Sequence, residues 1–134
     1  LSWDGPPIAV AICYEISNGN GLNNAVKGGA QWILAIANLD PYPILLQKQF
    51  LSLAQLRSIE SARYLITVSN TGPSSMISSS GRISPVIAPF KEGLALTSVH
   101  FSEKITPYVR WGEKPLIVFL LVGILGLFFL TSKV

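Results

Sequence analysis

Ile8-Ala9-Val10-Ala11-Ile12-Cys13-Tyr14-Glu15 decides the fold. Its first five residues are all apolar, β-branched at Ile8, Val10 and Ile12, and without polar alternation they predict a strand covered on both faces. That strand runs straight into the only cysteine of the chain. Asn18-Gly19-Asn20-Gly21 then breaks the chain and opens a short helix from Leu22 to about Lys27, which Gly28-Gly29 stops. Trp32 to Ala37 repeats the first signature as a second buried strand, ending at Asn38. Strand, helix and strand at this spacing predict a parallel crossover, with Cys13 where a strand gives way to a turn.

Outward from this unit, Asn38-Leu39-Asp40-Pro41-Tyr42-Pro43 is kept out of regular structure by two prolines and its Asn and Asp. The strongest helix of the chain is predicted between Leu45 and Arg63, where Leu46, Phe50, Leu53, Arg57 and Glu60 recur on one face. That face starts apolar and ends charged. Arg57 and Glu60, three residues apart, can pair, either at an internal seam or on a solvated surface. Tyr64 to Ser69 predicts another strand, followed by an Asn70-Thr71-Gly72-Pro73 turn. Met76-Ile77 and Arg82-Ile83 predict a hairpin with the polar tip Ser78-Ser79-Ser80-Gly81. Gly93 to Phe101, with Leu94, Leu96 and Val99, is expected to be the last strand. The order predicts a layered α/β domain, and no internal repeat or nucleotide-binding glycine pattern is visible.

The formal charge is +3, and its ten basic residues are scattered rather than gathered in a stripe, which argues against a nucleic-acid partner. One cysteine excludes an internal disulfide and a multi-cysteine metal site, and no cofactor motif appears. What remains for Cys13 is packing, as a small buried hydrophobe, or chemistry.

From Leu116 to Leu130 the sequence is unbroken apolar, with no charge until Lys133. At ~1.5 Å per residue such a run approaches the ~30 Å hydrocarbon core of a bilayer, so a spanning helix over residues 115–132 is expected. Gly123 and Gly126 would let another helix approach closely, and Arg110, Trp111 and Lys114 are interfacial anchors. Positive charge flanks both ends, so charge does not set the orientation. Residues 1–104 are then expected to be a soluble portion and 105–114 a linker. Leu1 is not a Met, and no leader precedes the first strand. The chain is therefore expected to be a C-terminal fragment.

A cysteine at a strand-to-turn junction can be exposed and acidified by free backbone amides, which can also hold an oxyanion during acyl transfer. A thiol usually needs a base, and the local candidates are Glu15 and the only histidine, His100. Glu15 is too close in sequence to aim reliably at Cys13. His100 falls by the last predicted strand, where an ordinary partly exposed histidine is the preferred reading.

Ile12-Cys13-Tyr14-Glu15, Arg57-Ser58-Ile59-Glu60-Ser61-Ala62-Arg63, Asn70-Thr71-Gly72, Gly81-Arg82-Ile83 and Thr106-Pro107-Tyr108-Val109-Arg110 before an apolar tail occur here in order. Together they resemble the apolipoprotein N-acyltransferase family, the membrane-bound branch of the nitrilase, or carbon-nitrogen hydrolase, superfamily. The resemblance implies part of an α-β-β-α sandwich followed by one transmembrane helix, in a multi-pass protein of the bacterial plasma membrane. The sandwich would lie on the extracytoplasmic side. It implies transfer of a fatty acyl chain from a phospholipid donor to the N-terminal cysteine amine of an apolipoprotein, through a thioester on Cys13.

Tyr14 and Glu15 would shape the site, with Tyr14 giving a backbone donor to the oxyanion hole. Asn38, Arg57, Glu60 and Asn70 would be structural residues near it. The family's glutamate base and lysine lie upstream of the cysteine, so the chain by itself is expected to be inactive. Asn38-Leu39-Asp40-Pro41-Tyr42 departs from the Asn-Asp-Ala-Trp-Phe-like segment of well-studied members, which bears on the loop's role in lipid contact. The alternatives are a nitrilase-type amide hydrolase, and a non-catalytic membrane-anchored remnant or interaction domain.

Overall fold

β1 (Ile8–Ile12) and β2 (Trp32–Ala37) pair in parallel, with Ile8 opposite Trp32 and Ile12 opposite Ile36. Between them lie a 3₁₀ turn (Cys13–Ser17) and helix α1 (Gly19–Lys27), so the predicted crossover is present. The computed structural model describes residues 4–131. Helix α2 (Ile44–Ser61) leads to β3 (Leu65–Ser69), parallel to β2. β4 (Ser74–Ile77) and β5 (Ile83–Ile87) complete a five-stranded sheet in sequence order, both antiparallel to their neighbours. At the hairpin Gly81 has φ +83°, where glycine carries no penalty, and a Cβ there would stand 2.6 Å from Ile59 Cδ1.

Alternate strand residues build the core. Ala9, Ala11, Ile33, Leu65 and Ile77 face α1 and α2 and are buried with Ile16, Leu22 and Ala54. The small residues let the helices approach the sheet, while full burial of Ile33, Leu65 and Ile77 contributes roughly 1.5–3 kcal/mol each. The opposite sheet face leaves Val10, Ile12, Ile36 and Val68 exposed. The described residues thus supply one sheet and one helical layer of the expected sandwich.

The core-facing side of α2 differs by one residue from the expected one. Gln47, Ala54, Ser58 and Ser61 are buried, as is Arg57 from the expected face, with Leu46, Phe50 and Leu53 on the flank. Small side chains set this rotation, because they admit the closest approach to the sheet.

The strand expected over Gly93 to Phe101 does not form. Leu94 and Leu96 are 96% and 98% exposed, and β5, at the sheet edge, carries Pro85, which offers no N–H to a further strand. The segment instead passes over the open face, where Thr97 Oγ1 donates to Met76 Sδ at 3.0 Å. It is then tied behind the sheet by buried Arg63, which donates to the carbonyls of Ala30 (2.8 Å) and Lys104 (2.6 Å). Burial pulls the Arg63 pKa down, against a raising influence from Glu103.

The expected linker holds a short helix, α3 (Pro107–Trp111), capped by Thr106, whose Oγ1 accepts from Val109 N–H at 3.0 Å. Helix α4 (Lys114–Thr131) follows and exposes its apolar side chains from Leu116 to Phe128. Among the described residues no helix is long and apolar enough to cross a membrane. Ser132, the last residue of the expected span, and Lys133 lie outside the described residues.

Candidate active site

Cys13 has φ +53°, in the left-handed region that costs a non-glycine residue about 1–2 kcal/mol. Neighbouring bonds hold it there. The Ile12 N–H donates to Glu15 Oε2 at 2.8 Å, Ser17 Oγ donates to the Tyr14 carbonyl at 2.8 Å, and the Asn18 N–H donates to the Glu15 carbonyl at 2.9 Å. Glu15 therefore braces the turn instead of reaching for the thiol. Tyr14 is 72% exposed, so its ring projects from the turn and leaves its backbone as the part beside Cys13.

Parallel α/β sheets place ligands beyond the carboxyl ends of their strands, and Cys13, Asn38 and Asn70 follow the carboxyl ends of β1, β2 and β3. Asn70 Nδ2 donates to Asn38 Oδ1 at 2.7 Å, and Asn70 Oδ1 accepts from the N–H of Leu39 and of Thr71, both at 2.9 Å. These bonds lock two of the loops around the thiol. Buried Gln47, not singled out from the sequence, secures the same loop by donating to the Leu39 carbonyl at 3.2 Å and the Tyr42 carbonyl at 3.0 Å. Its signal was a polar residue within the otherwise apolar start Ile44-Leu45-Leu46-Gln47.

Half-buried Cys13 opens onto a cavity of about 20 Å³ walled by Ile16, Ala35, Phe50, Ala54, Thr67 and Ser69. That volume holds about one water and no fatty chain. Ser69 Oγ is buried in the wall with no hydrogen-bond partner in the described protein. A water or substrate oxygen in the cavity would satisfy it.

Arg57 and Glu60 do not line this cavity. They form an ion pair at the seam of α1, α2 and α3, with the Arg57 guanidinium against Gly19 at the start of α1. Thr106 Oγ1 donates to the Glu60 carbonyl. Burial raises the Glu60 pKa, partly offset by Arg57 and by a hydrogen bond from Tyr108. The pair thus holds the start of α1, six residues after Cys13, against the helix that leads to α4. His100 is far from the thiol: its ring meets that of Tyr64, 5.0 Å between centroids, and Tyr64 precedes β3 at the opposite end of the parallel strands. No group of three or more metal-ligating side chains occurs among the described residues.

A family model described as carbon-nitrogen hydrolase matches residues 3–105. The chain belongs to the carbon-nitrogen hydrolase family. It is 67% identical, over 91% of its length, to the apolipoprotein N-acyltransferase of one strain of Prochlorococcus marinus, and 56% identical, over 95%, to that of a second strain, MIT 9313. It spans about a quarter of these relatives (25% and 26%). Among solved structures, an amidase from Nesterenkonia sp. AN1 is similar at TM-score 0.52 and 20% identity, over 66% of this chain and 38% of that one. At that identity the likeness is one of fold. A carbon-nitrogen hydrolase core thus surrounds a cysteine at a strained strand-to-turn junction.

Proposed function

We propose that Cys13 is the nucleophile of an apolipoprotein N-acyltransferase. The observation that carries this reading is the single thiol, held at φ +53° at the carboxyl edge of the parallel strands. The names of relatives up to 67% identical supply the reaction.

In this reading the Cys13 thiolate attacks the ester carbonyl of a phospholipid, and the N–H of Tyr14 faces the oxyanion that forms. The carbon–oxygen bond to glycerol breaks, the glycerol oxygen takes up a proton, and a lysophospholipid leaves the acyl group as a thioester on Cys13. The α-amine of an apolipoprotein N-terminal cysteine then attacks the thioester. An amide forms, the amine proton is lost, and the thiolate returns. Glu15, held by Ile12 N–H, is a bracing residue, and the general base and lysine come from the part of the protein that precedes this chain. Asn38 and Asn70 fix the loops; Arg57 and Glu60 fix α1 behind them.

The cavity beside Cys13 is too small for the acyl chain, and the open sheet face is the one that the second sheet of an α-β-β-α sandwich would cover. There Ile12, Ile36 and Val68 stand in register, exposed and apolar. Residues 1–104 are the C-terminal portion of the catalytic domain, 105–114 the linker, and 115–132 the membrane segment. The unbroken apolar run from Leu116 to Leu130 is what supports that membrane segment. The catalytic portion lies on the extracytoplasmic side of the plasma membrane.

The test is transfer of labelled acyl chain from phospholipid vesicles to a diacylglyceryl-cysteine peptide by the intact protein. Transfer that Cys13→Ala abolishes supports the reading. Release of free fatty acid or ammonia from amides, with no transfer, points instead to a hydrolase. That second reading draws on the Nesterenkonia amidase, a mutant of which shows covalent addition of the acetamide moiety of fluoroacetamide at its active-site cysteine.

A further inference from the structure

A groove of about 260 Å³ separates α1 from the junction of α3 and α4, well away from the Cys13 cavity. It is near the lower end of small-ligand sites, ~300–1,000 Å³. Asn20, Asn23 and Lys27 line it from α1; Arg110, Glu113 and Lys114 line it from the junction. Three cations face one carboxylate, and none of the three is held in an ion pair among the described residues. Asn23, only 5% exposed, lines the groove from α1. Its amide is a neutral hydrogen-bonding group on the wall of the groove. Nothing in the acyl-transfer mechanism uses it.

The position of the groove selects the ligand. It opens at the foot of α4, where the exposed apolar surface begins at Leu116 and Ile117. A phosphate seated here would meet Arg110 through a planar fork, Lys27 and Lys114 as point charges, and Asn23 as a neutral donor. Any apolar chains attached to that phosphate would lie along α4. Basic pockets beside membrane helices bind lipid head groups by this division of labour.

We infer that the groove between α1 and the α3–α4 junction is a binding site for the phosphate head group of a bilayer phospholipid, separate from the site of acyl transfer. It rests on the reading of α4 as embedded in the membrane. Lipid held here would fix the height of the domain above the bilayer, through α3 and the Arg57–Glu60 seam.

Titration of the delipidated intact protein with phosphatidylglycerol, followed by native mass spectrometry, tests the site. Asn23→Asp is nearly isosteric and sets a carboxylate in the groove; Lys27→Glu reverses a charge on the surface of α1. Each is expected to weaken phosphatidylglycerol binding about tenfold. The native alkylation rate of Cys13 should be unchanged in both, which reports an intact fold. Cys13→Ala should bind lipid as the parent does, so loss of acyl transfer bears on the catalytic reading and not on this site. Equal binding by both variants and parent, or no lipid binding by the parent, would overturn the inference. Displacement of the lipid by millimolar inorganic phosphate would also overturn it, in favour of a free-phosphate site.

Discussion

Replacing Cys13 by glycine and by alanine should give an order of stability opposite to that of ordinary positions. Both variants lose the thiol, so the contacts of sulfur with the cavity wall cancel in the comparison. In a regular strand or helix, glycine is about 0.5–1 kcal/mol less stable than alanine. At Cys13 the backbone has φ +53°, where alanine incurs about 1–2 kcal/mol of steric strain and glycine none. Against this stands the extra freedom that glycine gives the unfolded chain, about 0.4–1 kcal/mol. The difference leaves Cys13→Gly more stable by about 0.5–1 kcal/mol, a rise in Tm of a few degrees for a domain of ~100 residues. Urea unfolding of the intact variants in mild detergent measures it. Alanine equal to or above glycine would mean that Cys13 is not held in a left-handed turn.

Arg57→Met should cost about 3 kcal/mol at neutral pH, because it leaves the Glu60 carboxylate buried without its partner. The Glu60 pKa is already raised by burial, so this carboxyl favours the fold when protonated and loses that contribution as pH rises through its folded value. The cost of Arg57→Met should therefore be smallest in acid and grow with pH, which unfolding at a series of pH values reads directly. Gly72→Ala should cost about 1–3 kcal/mol and slow Cys13 alkylation. Its Cβ would stand 2.5 Å from Leu39 Cδ1, on a buried side chain that lines the thiol cavity. Arg63→Met should release the segment around Ser102 and Lys104, seen as faster limited proteolysis there while the Cys13 alkylation rate holds.

Much of the fold was legible because its strongest signals are local. The two apolar runs ending at Ile12 and Ala37 have no helical period, and glycines punctuate them, so both strands appear at their expected bounds. The hairpin was legible from its Ser-Gly tip. The failure at Gly93 to Phe101 has a physical cause: Leu94 and Leu96 alternate as in a strand, but pairing needs a free edge, and sequence does not reveal that Pro85 lies on it. The rotation of α2 was obscured because Leu45, Leu56 and Ile59 make its outer face apolar as well, leaving the small residues Ala54, Ser58 and Ser61 to choose the inner one.

At the site, the end of β1 announced the thiol and its turn. The link between Asn38 and Asn70 joins residues 32 apart in sequence, and the brace of Glu15 on Ile12 N–H depends on a side-chain rotamer. Neither has a local signature. Gln47 is of the same kind: its partners on the preceding loop became visible only in three dimensions.

Trapping the acyl group on Cys13 tests the central claim most directly. Intact protein purified from membranes in the presence of phospholipid, weighed before and after neutral hydroxylamine, should carry a labile mass equal to one fatty acyl chain. Cys13→Ala should carry none. A labile adduct that persists in Cys13→Ala would contradict the account, as would its absence from a protein that still transfers acyl chains to the lipoprotein amine.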